Sequence, residues 1–388
     1  MLLPLTNIPR AYAWGSTTLL AQLQGRAPTG EPEAELWFGA HPAAPSVVAD
    51  GTGRTLDRWL AEEGGGAALP YLLKLLAVAH PLSIQVHPSK AQAEAGFARE
   101  DAAGIPRDAP ERSYPDDNHK PELVVALSDA FRALVGLRDV TASRRLLTAL
   151  GESAGVREVR DRLEEGDASR AVLPATLIPW LLSAAATDAV GDVLRALPDA
   201  RSEEFAAEFE LARSLLQEVP GDPGIVVALL MNHLVLRRGE GVFVPAGMLH
   251  AYLGGMGVEV MAASDNVLRG GFTAKHVDVA ELARVLDPAT GPVEIVRPAV
   301  RDHVTGIADY PVPVPDFSLA RVRVGPGSPA ELHPRGTAIA LATAGEVTVA
   351  QAGASVSLRP GEAVLITADG MPPTIHGAGE VFLAQPGH

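Results

Sequence analysis

The sequence predicts a mainly β protein with an α insertion: two small jelly-roll barrels plus an inserted helical domain. Three observations carry this. Short aliphatic runs separated by turn residues fill residues 1–138 and return from 234. Between 139 and 233 the apolar residues take helical spacing instead. A Gly-Glu turn leading into an aliphatic strand occurs twice, at Arg237–Gly247 and Leu358–Gly370.

The first region carries the strand-like runs "YLLKLLAVA" and "ELVVAL". Between them lies "PLSIQVHPSK", in which Ser83, Gln85 and His87 alternate with Ile84 and Val86. Side chains on a strand alternate faces, so one face is aliphatic and the other offers a hydroxyl, an amide and an imidazole in a row. The middle region, "TASRRLLTALGESAGVREVRDRLEEG" through "SEEFAAEFELARSLLQEV", reads as helices, with Ser202 as an N-cap ahead of Glu203 and Glu204. The third region repeats the Gly-Glu turn that small cupin-like barrels place between strands. Its first copy continues "VFVPAGMLHAY" and delivers His250; the second, "VLITADGMPP", delivers no histidine. The expected division is a working barrel from 1–138 and 234–290, a helical insertion at 139–233, and a C-terminal barrel at 291–388 without a metal site. "LHAYLGGMGVEVM" reads as a hairpin turning at Gly254 to Gly257, which places His250, Tyr252 and Glu259 on one sheet face. A one-residue slip would turn Glu259 away.

The 388 residues are 47% hydrophobic and 20% charged, enough for two or three domains. There is no cysteine, so thiolate ligands, disulfides and a Cys nucleophile are excluded. A net charge of −15 argues against nucleic acid as a partner. The apolar run from Gly224 to Leu236 is broken by Asn232 and His233 and falls short of the roughly 20 residues a membrane span needs. "MLLPLTNIPRAYAWG" lacks the features of a signal peptide, so a cytoplasmic protein is expected, a monomer or weak homo-oligomer. Of 32 basic residues only four are lysines, Lys74, Lys90, Lys120 and Lys275, all near the polar motifs. A compact ammonium kept against such a bias suits a phosphate or a substrate hydroxyl.

Gln85, His87, Glu122 of "NHKPELVVAL" and His250 form a ligand set that suits zinc with an open position for substrate. Fe(II), Mn(II) or Co(II) would also accept these donors. Each residue also has a plain structural reading, as a core histidine or a solvated edge carboxylate. Glu259 on the same face is a candidate general base, with burial raising its pKa toward neutrality. Arg269 and Lys275 follow on a turn-rich segment.

"AYAWG", "EAELWFGAHP", "YLLKLLAVAHPLSIQVHPSK", "NHKPELVVAL", "GEGVFVPAGMLHAYLGG" and "GVEVMAASDNVLRGGFTAKHVD" run in family order from about residue 10 to 280. Together they resemble type I mannose-6-phosphate isomerases of the cupin superfamily. The resemblance implies one zinc ion held by Gln85, His87, Glu122 and His250, and interconversion of D-mannose 6-phosphate and D-fructose 6-phosphate. It implies Arg269 as a catalytic residue. It places Trp14, Lys74, Ser83, Lys120, Glu259 and Lys275 around the phosphosugar. Gly270 and Ala274 depart from the pattern, which has Ala and Pro there, and the chain after 290 resembles the family only loosely. The residue chemistry leaves two rivals open: an Fe(II) oxygenase, and a sugar-binding protein that keeps a structural metal.

Overall fold

A computed structural model describes residues 1–64, 68–164, 176–302, 306–368 and 371–387. Before the helical stretch come β1 (Leu2–Thr6), β2 (Glu35–Phe38), β3 (Val47–Val48), β4 (Tyr71–Val78), β5 (Gln85–Val86), β6 (Glu122–Ala126) and β7 (Phe131–Leu137). After it come β8 (Met231–Leu236), β9 (Gly241–Val244), β10 (His250–Ala262) and β11 (Leu268–Arg269). Among the described residues the strands form two sheets with antiparallel ladders, one of nine strands and one of ten. The nine-stranded sheet is β2 and β4 to β11; the other holds the strands from Ala299 to Gln385 together with β1 and β3.

The placement of β1 and β3 differs from the expected division, which gave residues 1–138 to the first barrel. Leu2 to Leu5 pair with Ile366 to Ala363 in the second sheet. β1 thereby covers an edge that would otherwise expose unpaired backbone groups. Leu3 and Leu5 also enter the core between the two sheets.

That core explains why β4 reads as an almost unbroken apolar run. Tyr71, Leu73, Leu75 and Ala77 pack between the sheets, against residues such as Leu341, Leu365 and Phe382. The alternate residues Leu76 and Val78 face the interior of the first sheet with Val124, Val135 and Tyr252. All eight residues are buried because both faces are covered. Lys74 is the one charge in the strand, and it lies on the inner face. The Tyr71 hydroxyl reaches across to the Thr337 and Ala384 carbonyls, each at 3.1 Å.

The described part of the middle region is mainly helical, from Val140–Ala149 to Gly224–Leu229, and shares an apolar core with residues in and beside the first sheet such as Ile84, Val86, Leu134 and Leu249. Asp139 caps the first helix by accepting from Ala142 N at 3.0 Å. Ser202 accepts from Phe205 N in a turn that leads into the helix Ala206–Glu218, so the helix begins one turn later than its sequence signal. The two Gly-Glu turns have the same geometry. Gly239 and Gly361 both sit at φ 85°, a left-handed value that favours glycine. Glu240 and Glu362 accept from Arg237 N and Arg359 N at 3.0 and 2.9 Å.

β10 corrects the hairpin reading. It is one strand of 13 residues, and its two halves have different partners. His250 to Gly254 pair with β7, and Gly255 to Ala262 with β4. Tyr252 therefore lies opposite Ala133, not Glu259. On a regular strand Tyr252 and Glu259 would point to opposite faces. A bulge between Tyr252 and Gly254, with Gly255 at φ 113°, shifts the phase and brings both to the inner face.

Candidate metal centre

β5 is only two residues long, yet the alternation expected around it is present. Ile84 and Val86 are fully buried in apolar surroundings. Ser83 and Gln85 line a small cavity of about 60 Å³ with Glu35, Lys74, Lys120, Glu122, His250, Tyr252 and Glu259. His250 is the cross-strand partner of Gln85. Glu122 opens β6 opposite Val244 of β9 and Met261 of β10.

His87, Glu122 and His250 converge: one donor atom from each lies within 4.8 Å of the others. His87 Nε2 is 3.2 Å from Glu122 Oε1, and His250 Nε2 is 3.4 Å from Oε2. The imidazole centroids are 5.0 Å apart. Lys120 Nζ is 2.9 Å from Glu122 Oε1, and the Tyr252 hydroxyl donates to Oε2 at 3.3 Å.

Both imidazoles are oriented from behind. His87 Nδ1 donates to the Asn266 carbonyl at 2.7 Å, and His250 Nδ1 to the Met248 carbonyl at 3.1 Å. Each Nε2 is then left as the lone-pair nitrogen that a metal uses. His87 Nε2 is buried and makes no hydrogen bond. Such an atom is costly unless something else satisfies it. Burial, then the charge of Lys120, pushes the His87 pKa down to about 4, so the ring is neutral. Burial works to raise the Glu122 pKa, but the Lys120 ammonium at 2.9 Å outweighs it and holds the carboxyl well below its usual range. Two imidazole nitrogens and a carboxylate fit a divalent ion such as zinc.

On the other side of the cavity, Lys74 Nζ lies 3.3 Å from Glu259 Oε2 and 3.9 Å from Glu35 Oε2. Trp37 donates its indole N–H to Glu35 and lies 4.8 Å from the Lys74 ammonium. Burial opposes the lysine's charge, yet Glu35, Glu259 and Glu122 together keep its pKa above the usual value. Burial and then the Glu122 charge push the Glu259 pKa up to about 7. Glu35 and Trp37 were not picked out as site residues. Their signal was present in "ELWF", where they alternate with Leu36 and Phe38.

The remaining predicted residues lie around this cavity rather than in it. Arg269 is the cross-strand partner of Gln85. It lines a second cavity of about 520 Å³ with Lys275, Arg112, Ser113 and His276. Burial lowers the Arg269 pKa; burial and then Arg269 lower that of Lys275. Trp14 is half-buried against the apolar interior of the first sheet and stacks on Tyr12 at 5.8 Å. Lys90 is exposed and bonds to the Asp117 carbonyl. A further cavity of about 730 Å³, lined by Pro311, Pro313 and Pro315, includes none of these groups in its lining.

The profile of the family "phosphomannose isomerase type I, catalytic domain" matches residues 2–140. Mannose-6-phosphate isomerase of Escherichia coli (strain K12) is 36% identical over 394 residues, covering 97% of each chain. The Homo sapiens enzyme of the same name is 32% identical over 365 residues, covering 84% of this chain and 83% of that one. Among solved structures, the mannose 6-phosphate isomerase bound with zinc and yttrium superposes at a TM-score of 0.88 with 34% identity over 100% of both chains. The Salmonella typhimurium enzyme bound to its substrate, fructose 6-phosphate, and to zinc also superposes at 0.88 with 34% identity and full coverage.

Proposed function

The chain belongs to the type I phosphomannose isomerase family, and from that premise we propose its reaction: metal-dependent interconversion of D-mannose 6-phosphate and D-fructose 6-phosphate through a cis-enediol. The observation that carries the reading is one small cavity lined by Glu122, His250 and Glu259: the first two cluster with the fully buried His87, and the third is a buried carboxylate near neutral pKa. A metal-holding binding protein has no use for the second feature, and the kinship weighs against an oxygenase.

Gln85, His87, Glu122 and His250 would hold the ion. Zinc, when bound, supplies Lewis acidity at a sugar oxygen. Glu259 removes the proton from C2 and returns it to C1, or the reverse. Its pKa of about 7 suits both directions, since a base poised near the working pH also re-donates. Lys74 holds the Glu259 carboxylate in place at 3.3 Å. The cavity of about 60 Å³ accepts only the reacting end of the sugar. Arg269, one strand beyond Gln85, stabilises the negative oxygen that develops there. Ser83 and Lys120, in the lining of that cavity, contact the reacting end, and Lys275 and Trp14 hold the rest of the molecule, the 6-phosphate included. His87 and His250, occupied as ligands, are not proton shuttles.

Glu259→Gln tests the assignment. The variant is expected to bind zinc stoichiometrically while losing solvent-deuterium exchange at C2 and at least ~1000-fold in kcat. Exchange at the wild-type rate would mean that another residue is the base.

A further inference from the structure

The cluster behind His87 has not entered the reaction above. Its centre is Asn266, which is 0% exposed. Its backbone carbonyl receives His87 Nδ1 at 2.7 Å. Its side-chain amide donates from Nδ2 to the Asp116 carbonyl at 2.8 Å and to the Asn118 carbonyl at 2.7 Å. Its Oδ1 accepts from Asp116 N at 3.2 Å. Two carbonyls need donors and one N–H needs an acceptor, so only one amide orientation satisfies all three. The neighbouring Ser264 hydroxyl donates to Asp116 Oδ1 at 2.8 Å and accepts from Asn266 N at 3.2 Å. Asp265 N reaches Asp116 Oδ2 at 2.7 Å. The segment thus gripped, Asp116 to Asn118, runs through Lys120 and Pro121 directly into Glu122. One side chain therefore ties together the backbone that orients one candidate ligand and the backbone that delivers another.

We propose that Asn266 is a positioning residue of the metal centre: it locks the His87 and Glu122 segments into one frame before the ion arrives. The proposal rests on the metal reading given above. No other residue type meets its demands. Asp keeps the acceptor but loses both donors. Ala removes a donor from each of the part-buried Asp116 and Asn118 carbonyls and the acceptor from Asp116 N, leaving only the Ser264 hydroxyl on the Asn118 carbonyl at 3.2 Å. Outer-sphere groups of this kind typically set metal affinity by 10- to 100-fold.

The test uses the full chain, stripped of metal by chelation. Zinc is titrated against a chromophoric competing chelator in wild type, Asn266→Asp, Asn266→Ala and the control His87→Ala. Folding is checked by circular dichroism at the titration temperature. Both Asn266 variants are expected to be folded and to bind zinc at least 10-fold more weakly than wild type. Their cobalt(II) derivatives are expected to lose intensity in the visible d–d bands, because ligand geometry loosens. A purely structural role would lower the melting temperature and leave affinity and spectrum unchanged, and that result overturns the proposal. Should Asn266→Ala not fold, the near-isosteric Asn266→Asp decides. A wild type that binds no zinc sinks the metal reading and this proposal with it. A tight-binding wild type with equally tight variants sinks this proposal alone.

Discussion

Replacing Lys74 by Met should move the pH dependence of catalysis, and the size of the move follows from the geometry. Lys74 Nζ lies 3.3 Å from Glu259 Oε2, with both side chains under a tenth exposed. Coulomb's law at an effective dielectric constant of about 20 gives about 5 kcal/mol for such a pair, an upper bound because water and Lys120 would partly replace the lost charge. One pKa unit is about 1.4 kcal/mol, so even a third of that energy raises the Glu259 pKa by more than one unit. In the proposed mechanism Glu259 acts as base in its ionised form. Activity therefore falls as pH drops through this pKa, and in Lys74→Met the fall begins at higher pH. A coupled assay from pH 5 to 9 should show the acid limb of log kcat displaced upward by one to two units. The loss at pH 7 should be about 5-fold for a one-unit shift and about 50-fold for a two-unit shift, with recovery toward pH 9. If kcat instead drops equally at every pH, Lys74 does not set the ionisation of the base.

Three further outcomes follow from single contacts. His87, neutral with a pKa of about 4 in the folded metal-free chain, is protonated near 6.5 once unfolded. Its contribution is therefore present above pH 6.5 and lost as pH falls toward 4, about 3 kcal/mol in all. Urea titrations of the metal-free chain should show that decline, and His87→Gln should flatten it. Gly96→Ala would place a Cβ 2.5 Å from the Tyr114 ring, displacing a side chain whose hydroxyl donates to Glu281 at 2.6 Å. A loss of about 1–3 kcal/mol is expected by thermal or urea unfolding. Tyr71→Phe removes the hydroxyl that reaches the Thr337 and Ala384 carbonyls across the two sheets, with an expected loss of about 1–3 kcal/mol in the same assay.

What was legible in the sequence was local. The row Ser83, Gln85, His87 could be read because a strand sorts alternate residues onto opposite faces, and Ile84 and Val86 do lie in apolar core. The paired glycines of β10 suggested a turn, but a strand with a continuous ladder on each half has no reason to reverse. The face of Glu259 came out as expected for a different reason, a bulge that no residue pattern specified. β1 was assigned to the wrong sheet because its partner, Ala363–Ile366, lies at the other end of the chain. Of the four lysines, Lys74 and Lys120 line the metal cavity and Lys275 the adjoining one, whereas Lys90 lies on the surface. Asn266 carried no signal of its own, because its partners are backbone groups 148 and 150 positions away.

The charges in the cavity tie these features together. Glu35, Glu122 and Glu259 face Lys74 and Lys120 across this small space. Three carboxylates against two ammonium groups cannot all ionise in a buried space without cost. The groups resolve this by position. Glu122 lies 2.9 Å from Lys120 and takes the full negative charge. Glu35 is fixed by Trp37 beside Lys74. Glu259 is left to absorb the imbalance, repelled by Glu122 and only partly compensated by Lys74. A carboxyl in that position gains and loses a proton near neutrality at little cost in either direction. The electrostatic frustration that would suit one side of the cavity to a dication thus leaves, on the other, a carboxyl placed as the proposed base requires.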